Sequence, residues 1–275
     1  MQLIDGKSLS AKIKAKLATE IDPASPPTLA VVLVGNDPAS QVYVNNKVKA
    51  CAAVGINSIL KTLEETATTS QVIDVIEALN QDPNVDGILV QLPLPKGLDE
   101  DFIVNRVDPK KDVDGLTYVM QGKLLYGTAP WAPCTPEGVI EMLDEYGVEL
   151  QGKNAVVIGR SNLCGKPLAL LLTQKNATVT LCHSKTKNLA DVTRKADVIA
   201  VCTGKINTLT ADMVKEGVVV IDIGINRTEN GLKGDVDFDG VAPKCSLITP
   251  VPGGVGPMTI AMLLSNTIKA RSLRK

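Results

Sequence analysis

The sequence predicts an α/β fold built from two parallel-sheet domains, and three observations predict it. Short runs rich in Val, Ile and Leu alternate with helical patterns along most of the chain, the order that strand–helix–strand crossovers produce. Only 3% of the residues are aromatic, so the core has to be built from aliphatic side chains. The length of 275 residues, at roughly 100–200 per domain, makes two domains.

The elements follow in order. Leu29 to Val34 is an unbroken apolar run, a strand buried on both faces. Gly35-Asn36-Asp37-Pro38 breaks it, with Asp37 placed to cap a helix and Pro38 at its first position. That helix extends to about Val54 and ends at Gly55. Ser58–Leu63 predicts a strand, Ser70–Asn80 a helix and Asp86–Gln91 a strand, completing a βαβαβ series. Residues 92–135 are rich in Pro and Gly and predict irregular structure, where function often lies between rigid elements. A helix is expected over Pro136–Tyr146. Alternation resumes with strand Asn154–Ile158, helix Lys166–Gln174, and strands Ala177–Leu181, Asp197–Val201 and Val218–Ile223. Asn230-Gly231 predicts a hairpin turn, and a final helix starts near Met258 after the glycine-rich stretch Pro250–Pro257. The Leu92-Pro93 and Val251-Pro252 bonds are candidates for cis geometry.

Composition excludes several function classes. The 29 basic and 30 acidic residues leave a net charge of −1, so no single-signed field steers the chain to nucleic acid or to an anionic membrane. No apolar run approaches the ~18 residues of a membrane span. The N-terminal residues carry no basic or apolar region marking export. The single histidine, His183, rules out chemistry that needs two. The six cysteines show no C-x-x-C spacing, so a zinc site is not expected, and they read as reduced cytoplasmic thiols.

Val156 to Pro167 reads as a strand, a glycine loop and a helix start, the arrangement of a dinucleotide site. Gly159 permits the tight turn, Gly165 lets the helix approach the strand, and the helix N-terminus faces a pyrophosphate. The spacing is not G-x-G-x-x-G, so a plain glycine turn is the competing reading. The next strand ends in Thr180-Leu181-Cys182-His183-Ser184, without the Asp or Glu that would hold a ribose 2′-hydroxyl. With Arg160 available from the glycine loop, a cation and hydroxyl donors favour a 2′-phosphate, hence NADP over NAD. His183 either lies near that phosphate or has no role.

In the first domain Ser40, Tyr43 and Lys47 share one face of the helix from Pro38, beside an apolar stripe of Val44, Val48 and Cys51. On spacing alone a solvated Lys47 and a core-edge Tyr43 are the commoner reading. Gln91 ends a parallel strand, where open α/β sheets bind ligands. Asp114 follows in a loop, as a specificity carboxylate or as an Asx-turn residue. Cys134 has no basic partner in view and reads as structural.

Together these segments resemble the bifunctional methylenetetrahydrofolate dehydrogenase/cyclohydrolase family over nearly the whole chain. They are Tyr43-Val44-Asn45-Asn46-Lys47-Val48-Lys49-Ala50, Gly87–Pro95, Asp112-Val113-Asp114-Gly115, Pro133-Cys134-Thr135-Pro136, Gly159–Pro167, Thr178–Ser184, Gly234-Asp235-Val236 and Thr249–Thr259, in this order. The resemblance implies oxidation of 5,10-methylenetetrahydrofolate with NADP, then hydrolysis of the 5,10-methenyl cation to 10-formyltetrahydrofolate. It implies an αβα folate-binding catalytic domain of residues 1–122 and 257–275, a Rossmann-like NADP-binding domain of residues 123–256, a C-terminal helix returning to the first domain, and a homodimer. It makes Lys47 the catalytic lysine, positioned by Gln91. Tyr43 stacks on the folate, with Ser40, Asp114, Gly253 and Gly254 completing the substrate site. Gly159, Arg160, Ser161, Ser184, Thr203, Gly224 and Ile225 take the cofactor. A lysine beside a cationic ligand is expected to have a lowered pKa. Cys164 departs from the larger aliphatic residue common in relatives.

Overall fold

The computed structural model describes residues 1–229 and 231–274. In chain order its elements are β1 (Gln2–Leu3), α1 (Gly6–Glu20), β2 (Thr28–Val34), α2 (Pro38–Val54), β3 (Asn57–Leu63), α3 (Thr69–Gln81), β4 (Gly87–Val90), α4 (Glu100–Val104), α5 (Tyr118–Leu125) and α6 (Cys134–Glu145). They continue with β5 (Asn154–Ile158), α7 (Gly165–Gln174), β6 (Thr178–Cys182), α8 (Leu189–Thr193), β7 (Val198–Val201), β8 (Val218–Asp222), β9 (Asn226–Thr228), β10 (Gly231–Lys233), α9 (Phe238–Val241), β11 (Cys245–Ile248) and α10 (Val255–Arg274). Two compact units result: Lys12–Cys134 with the chain from Ile260 onward, and Met1–Ala11 with Thr135–Thr259. No helix among the described residues is long and apolar enough to cross a membrane.

The first unit holds a three-stranded parallel sheet in the order β3-β2-β4. Every residue of β2 is buried, as its unbroken apolar run requires. Val72, Ile76 and Leu79 of α3 pack on it with Ile88, Val90 and Ile103. The chain leaves β2 for β3 on one side and crosses to β4 on the other. The gap between the ends of β2 and β4 is therefore a topological switch point, where open α/β sheets leave a crevice. The C-terminal helix α10 is anchored here by Arg271, which donates to Asp86 Oδ2 and to Pro26 O, both at 3.1 Å.

The second unit holds a six-stranded sheet in the order β1-β11-β8-β7-β5-β6, parallel throughout. Its switch point lies between β5 and β7, because β6 pairs on the far side of β5. Apolar side chains from β5, β7, β8 and β11 form its core with Leu209, Val236 and Val241.

The compact units divide the chain at other positions than the expected domain bounds. Residues 123–134 belong with the three-stranded unit. Trp131 Nε1 donates to Asp112 O at 2.7 Å and Cys134 Sγ to Val113 O at 3.4 Å, tying this segment back to the loop it follows. Met1–Ala11 belongs with the six-stranded unit, because β1 pairs with β11 and Ile4 N donates to Ile248 O at 2.9 Å. Elements β1, α1, α4, α5, α8, α9 and β11 were not expected, and the last helix begins at Val255. Strands β9 and β10 form the antiparallel hairpin; Asn230 of its expected turn lies outside the described residues. Both Leu92-Pro93 and Val251-Pro252 are cis.

Candidate active site

Helix α2 starts and stops where its sequence dictates. Asp37 caps it by accepting from Ser40 N at 2.7 Å, Pro38 occupies the first turn, and Gly55 ends it at φ +87°. This registers the helix beside the switch point of the three-stranded sheet. Val44 and Cys51 are buried and Lys49 is exposed, so the apolar stripe and the solvent face fall as their spacing predicts. Ser40 is buried, Tyr43 is 38% exposed, and Lys47 is half-buried.

Gln91 follows β4 immediately and is buried. Lys47 Nζ donates to its Oε1 at 2.9 Å. Gln91 Nε2 donates in turn to Leu92 O at 2.6 Å, which settles the orientation of the amide. Burial pushes the Lys47 ammonium below its usual range, while Asp114 and Cys134 push it back up. The direction is the expected one, but the lysine's own desolvation supplies it without a bound cation.

Asp114 is half-buried, and the Asx-turn role weighed for it falls to Asp112. The Asp112 carboxylate accepts from Gly115 N at 2.9 Å and Thr117 N at 2.7 Å. Gly115 at φ +71° completes the turn, since a side chain there would press on Pro133. Asp112 is buried and its carboxyl is pushed up to about 6, chiefly by desolvation. Cys134 is buried, its thiol donating to Val113 O, in keeping with a structural residue. Asn266 of α10, fully buried, donates to Val113 O at 3.1 Å and Ala132 O at 3.3 Å, fixing the same loop from behind.

In the six-stranded unit the glycine loop lies at the switch point. Gly159 takes φ +130°, and a Cβ there would lie 2.4 Å from Cys202 O, at the end of the neighbouring strand β7. A Cβ on Gly165 would lie 2.0 Å from Gly159 O, so α7 can start this close to β5 only with glycine. Arg160 and Ser161 are exposed, and Ser161 Oγ accepts from Cys164 N at 3.2 Å. Beyond β6, Ser184 is exposed, and the His183 ring nitrogen Nδ1 accepts from Lys185 N at 3.2 Å within its own turn. Arg160, Ser161, His183, Ser184 and Lys185 include no carboxylate, which fits a phosphorylated dinucleotide. Ile225 is 40% exposed and Thr203 is exposed, each following a strand end. Gly253 stands in open space at φ +107°; Gly254 is glycine for an internal reason, since a Cβ there would lie 2.6 Å from Pro250 O and 2.8 Å from Thr249 Cβ.

Sequence reasoning missed two buried carboxylates beside these strand ends. Asp222, the last residue of β8, accepts from Asp235 N at 2.8 Å and Val236 N at 3.0 Å. Burial pushes its carboxyl up to about 6, and neighbouring Asp235 adds to the shift. Asp235 accepts from Thr203, Gly204 and Asn226. The Gly234-Asp235-Val236 segment was a legible signal, but its partners lie far away in sequence.

One parallel α/β unit carries a glycine turn at its switch point and the other a lysine–amide pair at its own, the pattern of a nucleotide-binding α/β enzyme. The chain belongs to the tetrahydrofolate dehydrogenase/cyclohydrolase family: residues 4–114 match its catalytic domain and residues 133–275 its NAD(P)-binding domain. It is 58% identical to the bifunctional protein FolD of Campylobacter hominis, over 100% of this chain and 98% of that protein. The crystal structure of bifunctional FolD from Campylobacter jejuni superposes with a TM-score of 0.98 at 50% identity, covering 100% of both chains. The Trypanosoma brucei enzyme, solved with NADP cofactor and inhibitor, gives 0.94 at 35% identity, covering 99% of this chain and 98% of that one.

Proposed function

We propose that the lysine–amide pair and the glycine turn serve two consecutive reactions on one folate. The chain is an NADP-dependent methylenetetrahydrofolate dehydrogenase and a methenyltetrahydrofolate cyclohydrolase. The observation that carries the reading of its site is the Lys47–Gln91 hydrogen bond at the switch point of the three-stranded sheet.

NADP supplies the hydride acceptor. The chain's own part in oxidation is to orient both reactants, since the two nitrogens flanking the methylene carbon already stabilise the methenyl cation. Tyr43 provides the stacking face for the folate ring system. Asp114 accepts from the aminopyrimidine edge, which a carboxylate matches in a two-point contact. Ser40, Gly253 and Gly254 complete the substrate site. Arg160 and Ser184 hold the 2′-phosphate, and Gly159, Ser161, Thr203, Gly224 and Ile225 line the cofactor site.

In hydrolysis, water adds to the methenyl carbon and a proton leaves the adduct; the bond from that carbon to the ring nitrogen N5 then breaks as N5 gains a proton, leaving the formyl group on N10. Lys47 is the group at hand for this transfer, because burial has brought its pKa down toward the working range. Gln91 holds the ammonium in one direction while it waits. No histidine is needed.

The working form is a homodimer, in keeping with the resemblance and with the open edge of the three-stranded sheet, where β3 leaves Leu60 exposed. The six free thiols and near-neutral charge suit the cytoplasm. The direct test supplies methylenetetrahydrofolate and NADP and follows methenyltetrahydrofolate. Its transient formation and decay is the expected result; no methenyl product at any substrate level refutes the dehydrogenase.

A further inference from the structure

We infer that Asp235 is a positioning residue for the dehydrogenase reaction, its buried carboxylate locking together the two strand-end segments, Thr203–Gly204 and Gly224–Asn226, that face the cofactor. The inference rests on the reading that these segments line the cofactor site.

Asp235 is completely buried. Its Oδ2 accepts from Thr203 N at 2.6 Å, Thr203 Oγ1 at 2.9 Å and Gly204 N at 2.9 Å, while Oδ1 accepts from Asn226 Nδ2 at 2.9 Å. All of these donors are uncharged. Only a carboxylate can receive donors at both oxygens; an amide would turn an NH2 against one set of them. The first set belongs to the turn after β7, the strand that borders the switch point. The second belongs to the segment after β8. Gly224 is fitted to the same group, since a Cβ there would lie 2.0 Å from Asp235 Oδ1.

Asp235 is itself held in place. Asp222 accepts from its backbone N–H, and Thr249 Oγ1 accepts from Asp222 N at 2.7 Å. A Cβ on Gly234 would lie 1.8 Å from Asp222 Oδ2, so that glycine is fitted to the second carboxylate. The arrangement spans the strand ends of β7, β8 and β11 without occupying the crevice. A wall fixed this firmly by buried hydrogen bonds gives Thr203 and Ile225 fixed positions toward a ligand.

The test uses Asp235→Asn in the full chain, with both reactions measured on the same preparation. Hydrolysis of supplied methenyltetrahydrofolate consumes no NADP and is the internal reference. The expected result is a KM for NADP raised about tenfold and a dehydrogenase kcat lowered about tenfold, with the dehydrogenase loss exceeding any loss of hydrolysis by at least that factor. An unchanged KM for NADP, or equal losses in both reactions, overturns the inference. If Asp235→Asn does not fold, Asn226→Ala removes only the donor to Oδ1 and is expected to raise the KM for NADP about threefold; no change there overturns it as well. Arg160→Ala separates the two layers. If it leaves NADP affinity intact, the placement of the cofactor is wrong. If it weakens NADP while Asp235→Asn does not, the positioning role alone fails.

Discussion

Lys47 Nζ donates to Gln91 Oε1 at 2.9 Å, joining a helix and a strand end 44 residues apart in sequence. Because Gln91 spends its own donor on Leu92 O, the amide has no alternative orientation to offer the lysine. A half-buried ammonium with one fixed acceptor is preorganised for the proton transfer proposed for it.

Gln91→Leu should therefore impair hydrolysis by roughly 10–100-fold. It should also shift the pH profile. The Gln91 oxygen stabilises the charged lysine, so its removal leaves burial less opposed and lowers the lysine pKa further. The limb of the rate–pH profile that reports Lys47 should move to lower pH. A limb that moves to higher pH would contradict the assignment.

Asp114→Asn should move that limb in the same direction, because Asp114 is the main charge raising the Lys47 pKa against burial. It should in addition raise the KM for the folate about tenfold or more, since a charge-assisted contact is lost. A variant with an unchanged KM for the folate would remove Asp114 from the substrate site.

Arg160→Ala should weaken NADP by about tenfold or more while leaving NAD nearly unaffected, because only NADP carries the 2′-phosphate. Titration of the protein with each dinucleotide measures this. Equal weakening of the two would mean that Arg160 does not contact that phosphate.

Asp112 and Asp222 carry a pH signature in stability. Each has a folded-state pKa of about 6 against an ordinary value of 3.8, so the native chain keeps protons that the unfolded chain has released between those values. Their contribution to stability is greatest below about pH 4 and falls as pH rises to about 6, by about 3 kcal/mol each. Carboxyl-carbon titration by NMR should show two aspartates with midpoints near 6, one lost in Asp112→Asn and the other in Asp222→Asn. Midpoints near 4 would contradict their desolvation.

Much of this fold was legible because its signals are local. The apolar run of β2, the cap and stop of α2 and the glycines around β5 each act within one turn or strand. Non-local features were not. Strand β1 exists only because β11 lies beside it, and the unit boundary at Cys134 depends on Trp131 reaching back to Asp112. Helix α1 did leave a trace, with Leu9, Ile13 and Leu17 at four-residue spacing, but lysines dominate its surface. In the site, Lys47 and Gln91 were legible through the motifs around them. Asp112, Asp222 and Asp235 were not read as organisers, since a buried carboxylate is defined by distant backbone amides.

The most direct measurement follows the absorbance of methenyltetrahydrofolate after methylenetetrahydrofolate and NADP are mixed with Lys47→Met, beside the unaltered chain. If Lys47 transfers the proton, hydrolysis falls by roughly 10²–10⁴-fold. NADP affinity stays intact, and methenyltetrahydrofolate added directly to the variant persists. Decay of methenyltetrahydrofolate at the unaltered rate in this variant would contradict the role assigned to Lys47.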